Sequence, residues 1–355
     1  MLSIGKDLGK ISAGLVILTG CFSSTLSFAA APVSREVPLN LPGARTYMDP
    51  PAAFNPLTAA DEDLALYGFP PRPDAQKSPE TFKSWQKAMA ASQKHAIPTL
   101  EQTGIFHGPA KNTASLTNAT SAANTSSSYN WSGYVVTNKA TTYGSSSYYF
   151  LVSDYVVPLA EQAFGACTGG WDYSSTWAGL DGWSNGDVLQ AGTESDAYCF
   201  AGIRASYYSA WYEWYPYGEV RIGGFPIAAG DDLFVEVWST SSTAGHAYIV
   251  NYNTNTYVNI AFSAPPGTHL VGNSAEWVVE RPSVGGSLAT LTNYISDPLW
   301  AADAYDFSYH ASAPGAPGTS TSIPIQMLDN NGGVISYPTL IGPAAFVAND
   351  TGSAR

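Results

Sequence analysis

The sequence is poor in positive charge, in histidine and in sulfur. Its 355 residues hold 15 Lys and Arg against 28 Asp and Glu, with five histidines, four methionines and three cysteines. A phosphate backbone is met by clustered basic residues, so nucleic acid is excluded as a partner. No His-Glu-x-x-His run occurs, which removes the common zinc hydrolase signature. The histidines His95, His107, His246, His269 and His310 lack ligand spacing, and His246 and His269 read as surface or loop residues. Asp181, Asn185 and Asp187 have the look of a calcium loop, but its terminal glutamate is missing. Neither a metal nor a cofactor is expected.

Long apolar runs are also scarce. The stretch centred on "AGLVIL" follows Lys6 and Lys10 and precedes the small residues of "SFAAAP", so residues 1–30 read as an export signal rather than a membrane span. "LTGC" at Leu18 to Cys21 resembles a bacterial lipoprotein box and leaves a lipid anchor at Cys21 open. A secreted, extracellular protein is expected, with no membrane contact beyond that anchor. Cys167 and Cys199 are then left as a pair. In an oxidising compartment they are expected to be bridged, two buried free thiols being the alternative.

Charge divides the chain. Residues 1–111 hold ten Lys or Arg and nine Asp or Glu, whereas residues 112–355 hold five against nineteen. Protonating the carboxylates of the second part leaves little positive charge to repel itself, so it is suited to acid.

Three parts follow the signal. Residues 31–110 contain "DPPAAFNP", "GFPPRPD" and one helix pattern, "SPETFKSWQKAMAASQKH". Ser78 is placed as N-cap, Pro79 at the first helical position, and Phe82, Trp85 and Met89 on one face. Residues 111–129, "KNTASLTNATSAANTSSSY", read as a flexible, cleavable linker, with Asn118, Asn124 and Asn130 in glycosylation triplets. From 130 to 355 short alternating runs such as "SYYFLVSDYVV", "DLFVEVWST" and "AEWVVE" are separated by Gly, Pro, Ser, Asn and Asp. That texture predicts an all-β sandwich of two large sheets.

Residues two apart on a strand share a face. "TWAGLDG" thus aims Trp177 and Asp181 one way, "AWYEWYP" aligns Trp211, Glu213 and Tyr215, and "SAEWVVERP" aligns Ser274, Glu276, Val278 and Glu280. In "VLQAG", Gln190 shares its face with Val188 and Gly192. Together these would make an aromatic and acidic groove for an extended polymer.

The blocks "NWSGYV" (130–135), "TWAGLDGWSNGDVLQAG" (176–192), "AWYEWYP" (210–216) and "AEWVVERP" (275–282) resemble, in order, those of the glutamic peptidases, the G1 family or eqolisins. The resemblance implies a concanavalin A-like sandwich of two antiparallel sheets, preceded by a small, partly helical propeptide. It further implies an acid endopeptidase acting on polypeptides, with Gln190 and Glu276 as catalytic dyad. Trp131, Trp177, Asp181, Trp211, Glu213 and Tyr215 match its substrate-binding positions. The propeptide is expected to inhibit the enzyme intramolecularly, docked near neutral pH and loosening in acid, and the processed enzyme to be a monomer. The rival readings are a glycoside hydrolase using Glu213 and Glu276, and a carbohydrate-binding module on the same sandwich.

Overall fold

A computed structural model describes residues 35–111, 125–163, 167, 169–316 and 321–352. The export signal, Cys21, Asn118 and Asn124 lie outside the described residues. Strands dominate, as the alternating runs require. One sheet runs, in hydrogen-bonded order, through Val220–Gly223, Ile203–Tyr215, Val188–Phe200, Ser175–Leu180, Ser274–Glu280, Trp131–Thr137 and Thr321–Leu328. The second runs through Ala345–Asp350, Ser296–Asp306, Tyr148–Val156, Asp232–Ser241, Ala244–Asn251 and Thr256–Ser263. All of these pairings are antiparallel, and the Val334–Gly342 strand links the two sheets along one edge. The sheets pack face to face as a concanavalin A-like sandwich.

Alternation decides which residues fill the sandwich. Ala178, Leu180, Leu189, Ala191, Trp277 and Val279 point into the core with Leu151, Val235 and Ile249 of the other sheet. Trp277 is fully buried and its indole N–H donates to the Val152 carbonyl at 2.7 Å. A buried tryptophan of this kind contributes large apolar area while its single polar atom stays satisfied. The intervening positions Trp177, Gln190 and Val278 are left on the outer, concave side of the first sheet.

Residues 35–111 pack on the outside of the sandwich. The Pro79–Ala91 helix buries Thr81, Trp85, Ala88 and Met89, with Phe82 half-buried and stacked on Trp85. Proline opens the helix as expected, but the Ser78 side chain makes no cap hydrogen bond. The helix lies on the outer face of the second sheet, against Phe150, Phe234 and Tyr248. Its polar contacts are hydroxyls on buried carboxylates, Thr81 on Asp303 and Ser84 on Asp154 (2.5 Å), plus an ion pair from Lys87 to Asp232 at 2.7 Å. The chain then pairs through Thr99–Gln102 with Val220–Gly223, extending the first sheet, and through Ile105–Phe106 with Ser283–Val284. This route delivers residues 107–110 onto the concave face.

Three expectations need comment. Cys167 and Cys199 are bridged, with Cα atoms 5.3 Å apart. The linker reading extends too far, because Ser126–Ser128 is a strand parallel to Thr321–Leu328. His246 is not a surface residue. It sits within the Ala244–Asn251 strand at 7% exposure, stacked on Trp238 and hydrogen-bonded to the Tyr47 hydroxyl. Burial lowers its pKa to about 4, so it is a neutral core ring. Among the described residues, no helix is long and apolar enough to cross a membrane.

Candidate active site

Strand register turns the concave face into rows. Glu213, Gln190, Gly179, Glu276 and Val135 lie in one row across five strands. Trp211, Gly192, Trp177, Val278 and Gly133 form the next, and Ser209, Glu194, Ser175, Glu280 and Trp131 the one after. Gly179 matters in the first row. A Cβ there would stand 2.9 Å from the Gln190 Cβ and 3.1 Å from the Trp177 ring, so only glycine lets these side chains lie over the sheet.

Residues 107–110 fill this face. Gln190 Nε2 donates to the His107 carbonyl at 2.5 Å, and the His107 N–H donates to Glu213 Oε2 at 2.8 Å. The backbone of residue 107 is therefore held on both sides by the groove. Its imidazole stacks on Trp211, with ring centroids 3.9 Å apart. Nε2 lies 3.0 Å from Glu194 and 3.1 Å from Glu219, and Nδ1 lies 3.6 Å from Glu280. Burial alone would lower the imidazole pKa, but Glu194, Glu219 and Glu280 hold it well above its ordinary value. A fully buried imidazolium is stable here because acidic groups surround it. Gly108 packs on Tyr215, and Asn130 Nδ2 donates toward the Gly108 and Pro109 carbonyls.

The two carboxylates of the Ser274–Glu280 strand have different surroundings. Glu280 accepts the Trp177 indole N–H at 2.8 Å and the Asn130 amide at 3.0 Å, and faces His107. Burial pushes its pKa up, and these donors pull it part of the way back. Glu276 shares the row of Gln190 but accepts no hydrogen bond from the 107–110 segment. Its two oxygens lie near the Ser274 hydroxyl and the Trp183 N–H without meeting hydrogen-bond geometry with either. Burial, with Asp181 adding to it, drives Glu276 well above the carboxylate range. Burial thus raises both carboxyls, Glu280 less, because its donors favour the anion. Glu213 is pushed up to about 8, chiefly by burial.

The other predicted residues divide. Trp131, Trp177, Trp211 and Tyr215 line the concave face with Val135, Val188 and Val278. Asp181 does not share the direction of Trp177. It follows the strand end at φ 67°, and its carboxylate accepts the N–H groups of Val271 (2.7 Å), Gly272 (3.0 Å) and Asn273 (2.9 Å). It braces a loop. Parity puts Glu280 beside Glu276, but the sequence assigns no part in this site to His107, Glu194, Glu219 or Asn130. His107, Glu194 and Glu219 also bring ligand-type atoms within 4.8 Å of one another, a geometry that the expectation of no metal did not anticipate. With both ring nitrogens facing carboxylates, the arrangement is an ion-pair cage.

Residues 129–336 match the model of the Peptidase A4 family. The chain is 25% identical over 283 residues to aspergillopepsin-2 of Aspergillus niger, covering 76% of this chain and 91% of that protein. It is 31% identical over 129 residues to scytalidopepsin B of Scytalidium lignicola, covering 36% of this chain and 47% of the other. The crystal structure of scytalido-glutamic peptidase with a transition state analog inhibitor superimposes with a TM-score of 0.50 at 20% identity, over 63% of this chain and 98% of that one.

Proposed function

Because the chain belongs to the Peptidase A4 family, the glutamic peptidases, and is therefore a glutamic-type endopeptidase, we propose that it is secreted and cuts polypeptides in acid through Gln190, Glu280 and a water. One observation carries this reading: a peptide segment already threads the groove, its carbonyl on the Gln190 amide and its side chain against Glu280. A histidine base would be protonated in acid, whereas Trp177 and Asn130 oppose the rise that burial gives the Glu280 pKa, so its ionised fraction can take a proton from water. The water oxygen bonds to the scissile carbonyl carbon as its proton passes to Glu280. Gln190 Nε2 donates to the oxyanion, a service that does not titrate. The C–N bond then breaks, with Glu280 returning its proton to the leaving amine.

The sequence resemblance pointed to Glu276 for this role. Glu280 is preferred because it meets the threaded segment and carries donors that favour the anion, while Glu276 meets neither condition. What supports Glu276 is its position in the row of Gln190, one strand beyond Gly179. A glycosidase using Glu213 and Glu276 is disfavoured. Their strands are three spacings apart, roughly 14 Å at the backbone, too far for a facing pair.

Residues 31–110 act as the propeptide. They block their own cleavage by placing the His107 imidazolium on the base, so Glu280 has no water to activate. Trp131, Trp177, Trp211, Tyr215 and Glu213 contact the substrate once the segment leaves, and the processed enzyme acts as a monomer. The test is cleavage of a denatured protein by processed enzyme from acid to neutral pH, with an inhibitor of aspartic peptidases present. Acid-confined, inhibitor-indifferent activity that falls about 10²- to 10³-fold in Gln190→Ala is expected. Full activity in that variant would sink the assignment.

A further inference from the structure

The side chain that enters the groove at residue 107 occupies a defined pocket. Its floor is the Trp211 ring and its walls are Glu194, Glu219 and Glu280, each at most 1% exposed. Beyond the imidazole the pocket does not end. Glu194 and Glu219 also line a cavity of about 370 Å³, together with Trp171, Tyr173, Asp196 and Tyr207, and with Glu101, Gln102, Thr103 and Ile105 of the docked segment on its other side, which opens when that segment leaves. Glu194 Oε2 and Asp196 Oδ1 are buried with no hydrogen-bond partner. Arg221, on the same wall, is held by the Tyr207 hydroxyl, and by Glu101 as well while the 35–111 segment is docked. Burial, with Glu194 adding to it, raises Asp196 well above the carboxylate range, so a cation entering the pocket takes the place of a proton held there.

We infer that this is a specificity pocket for a basic side chain on the polypeptide substrate, at the residue whose carbonyl is held by Gln190. The inference rests on the peptidase reading and deepens it. The imidazole of His107 reaches all three glutamates at once and so sits against Glu280, which suits a blocking segment. A lysine or arginine is longer. Its aliphatic stem would lie on Trp211 as the imidazole does, and its charge would pass Glu280 into the cavity between Glu194, Glu219 and Asp196, leaving Glu280 free for water. Charge-assisted hydrogen bonds of this buried kind discriminate strongly against uncharged isosteres.

The experiment uses processed enzyme and peptides identical except at one position, which carries lysine, arginine, norleucine or phenylalanine. Lysine and arginine peptides are expected to show kcat/KM about tenfold or more above the norleucine peptide. Glu194→Gln and Glu219→Gln should each erode that ratio severalfold, through the basic peptides. Equal cleavage of all four peptides, or a preference for norleucine or phenylalanine, overturns the pocket while leaving the peptidase reading intact. No cleavage of the peptides or of denatured protein at any pH overturns both. Because the peptide series is read on the unaltered enzyme, it decides the matter even if a pocket variant does not fold.

Discussion

Trp177 shows how much of the chemistry is set by single atoms. Its indole N–H donates to Glu280 at 2.8 Å and thereby favours the ionised carboxylate. Removing that donor in Trp177→Phe leaves the apolar contact but raises the Glu280 pKa. The acid limb of the rate profile, where the base must lose its proton, is then expected to move to higher pH. An unmoved limb would mean that Glu280 is not the group being titrated. At this scale the sequence was legible in part. Parity placed Gln190, Trp177, Trp211, Glu213 and both glutamates of "AEWVVE" on one face, and could not choose between Glu276 and Glu280 because both obey the same period of two. The choice depends on Asn130 and Trp177, which are distant in sequence. His107 was illegible for the same reason, lying 83 residues from Gln190.

Elements were more legible than contacts. Apolar spacing and Pro79 located the Pro79–Ala91 helix and its buried Trp85 and Met89, because a helix on a sheet must bury one stripe. Alternation located the long strands for the corresponding reason. It failed where the backbone leaves the strand. Asp181 has left-handed φ one residue past Leu180, so its side chain turns to the 271–273 loop rather than continuing the face of Trp177. It failed again at Ser126–Ser128, where a polar run with no apolar signal pairs with Thr321–Leu328. Hydrogen bonding to a neighbour, not side-chain pattern, makes that strand.

For the molecule as a whole, the acidic composition has an energetic consequence. Burial raises Asp303 to about 6, Asp154 and Asp297 to about 7, and Glu213 to about 8. Each binds its proton more tightly folded than unfolded, where carboxyls titrate near 4. The folded state therefore holds more protons between about pH 4 and 8, and stability must fall as pH rises through that window. The raised His107 acts in the same direction, since its contribution is present below its unfolded pKa and lost above its folded one. The unprocessed protein is expected to melt on the order of 10 °C lower at pH 8 than at pH 4. Calorimetry showing the reverse order would refute this. Composition alone gave the sign of this effect, but not which carboxyls produce it, because that depends on burial. Which carboxylate works with Gln190 is decided by kcat of processed Glu280→Gln and Glu276→Gln on a denatured protein in acid. A loss of about 10³-fold or more in Glu280→Gln, with Glu276→Gln within about tenfold of the parent, is predicted. The opposite ranking would contradict the account and return the role to Glu276.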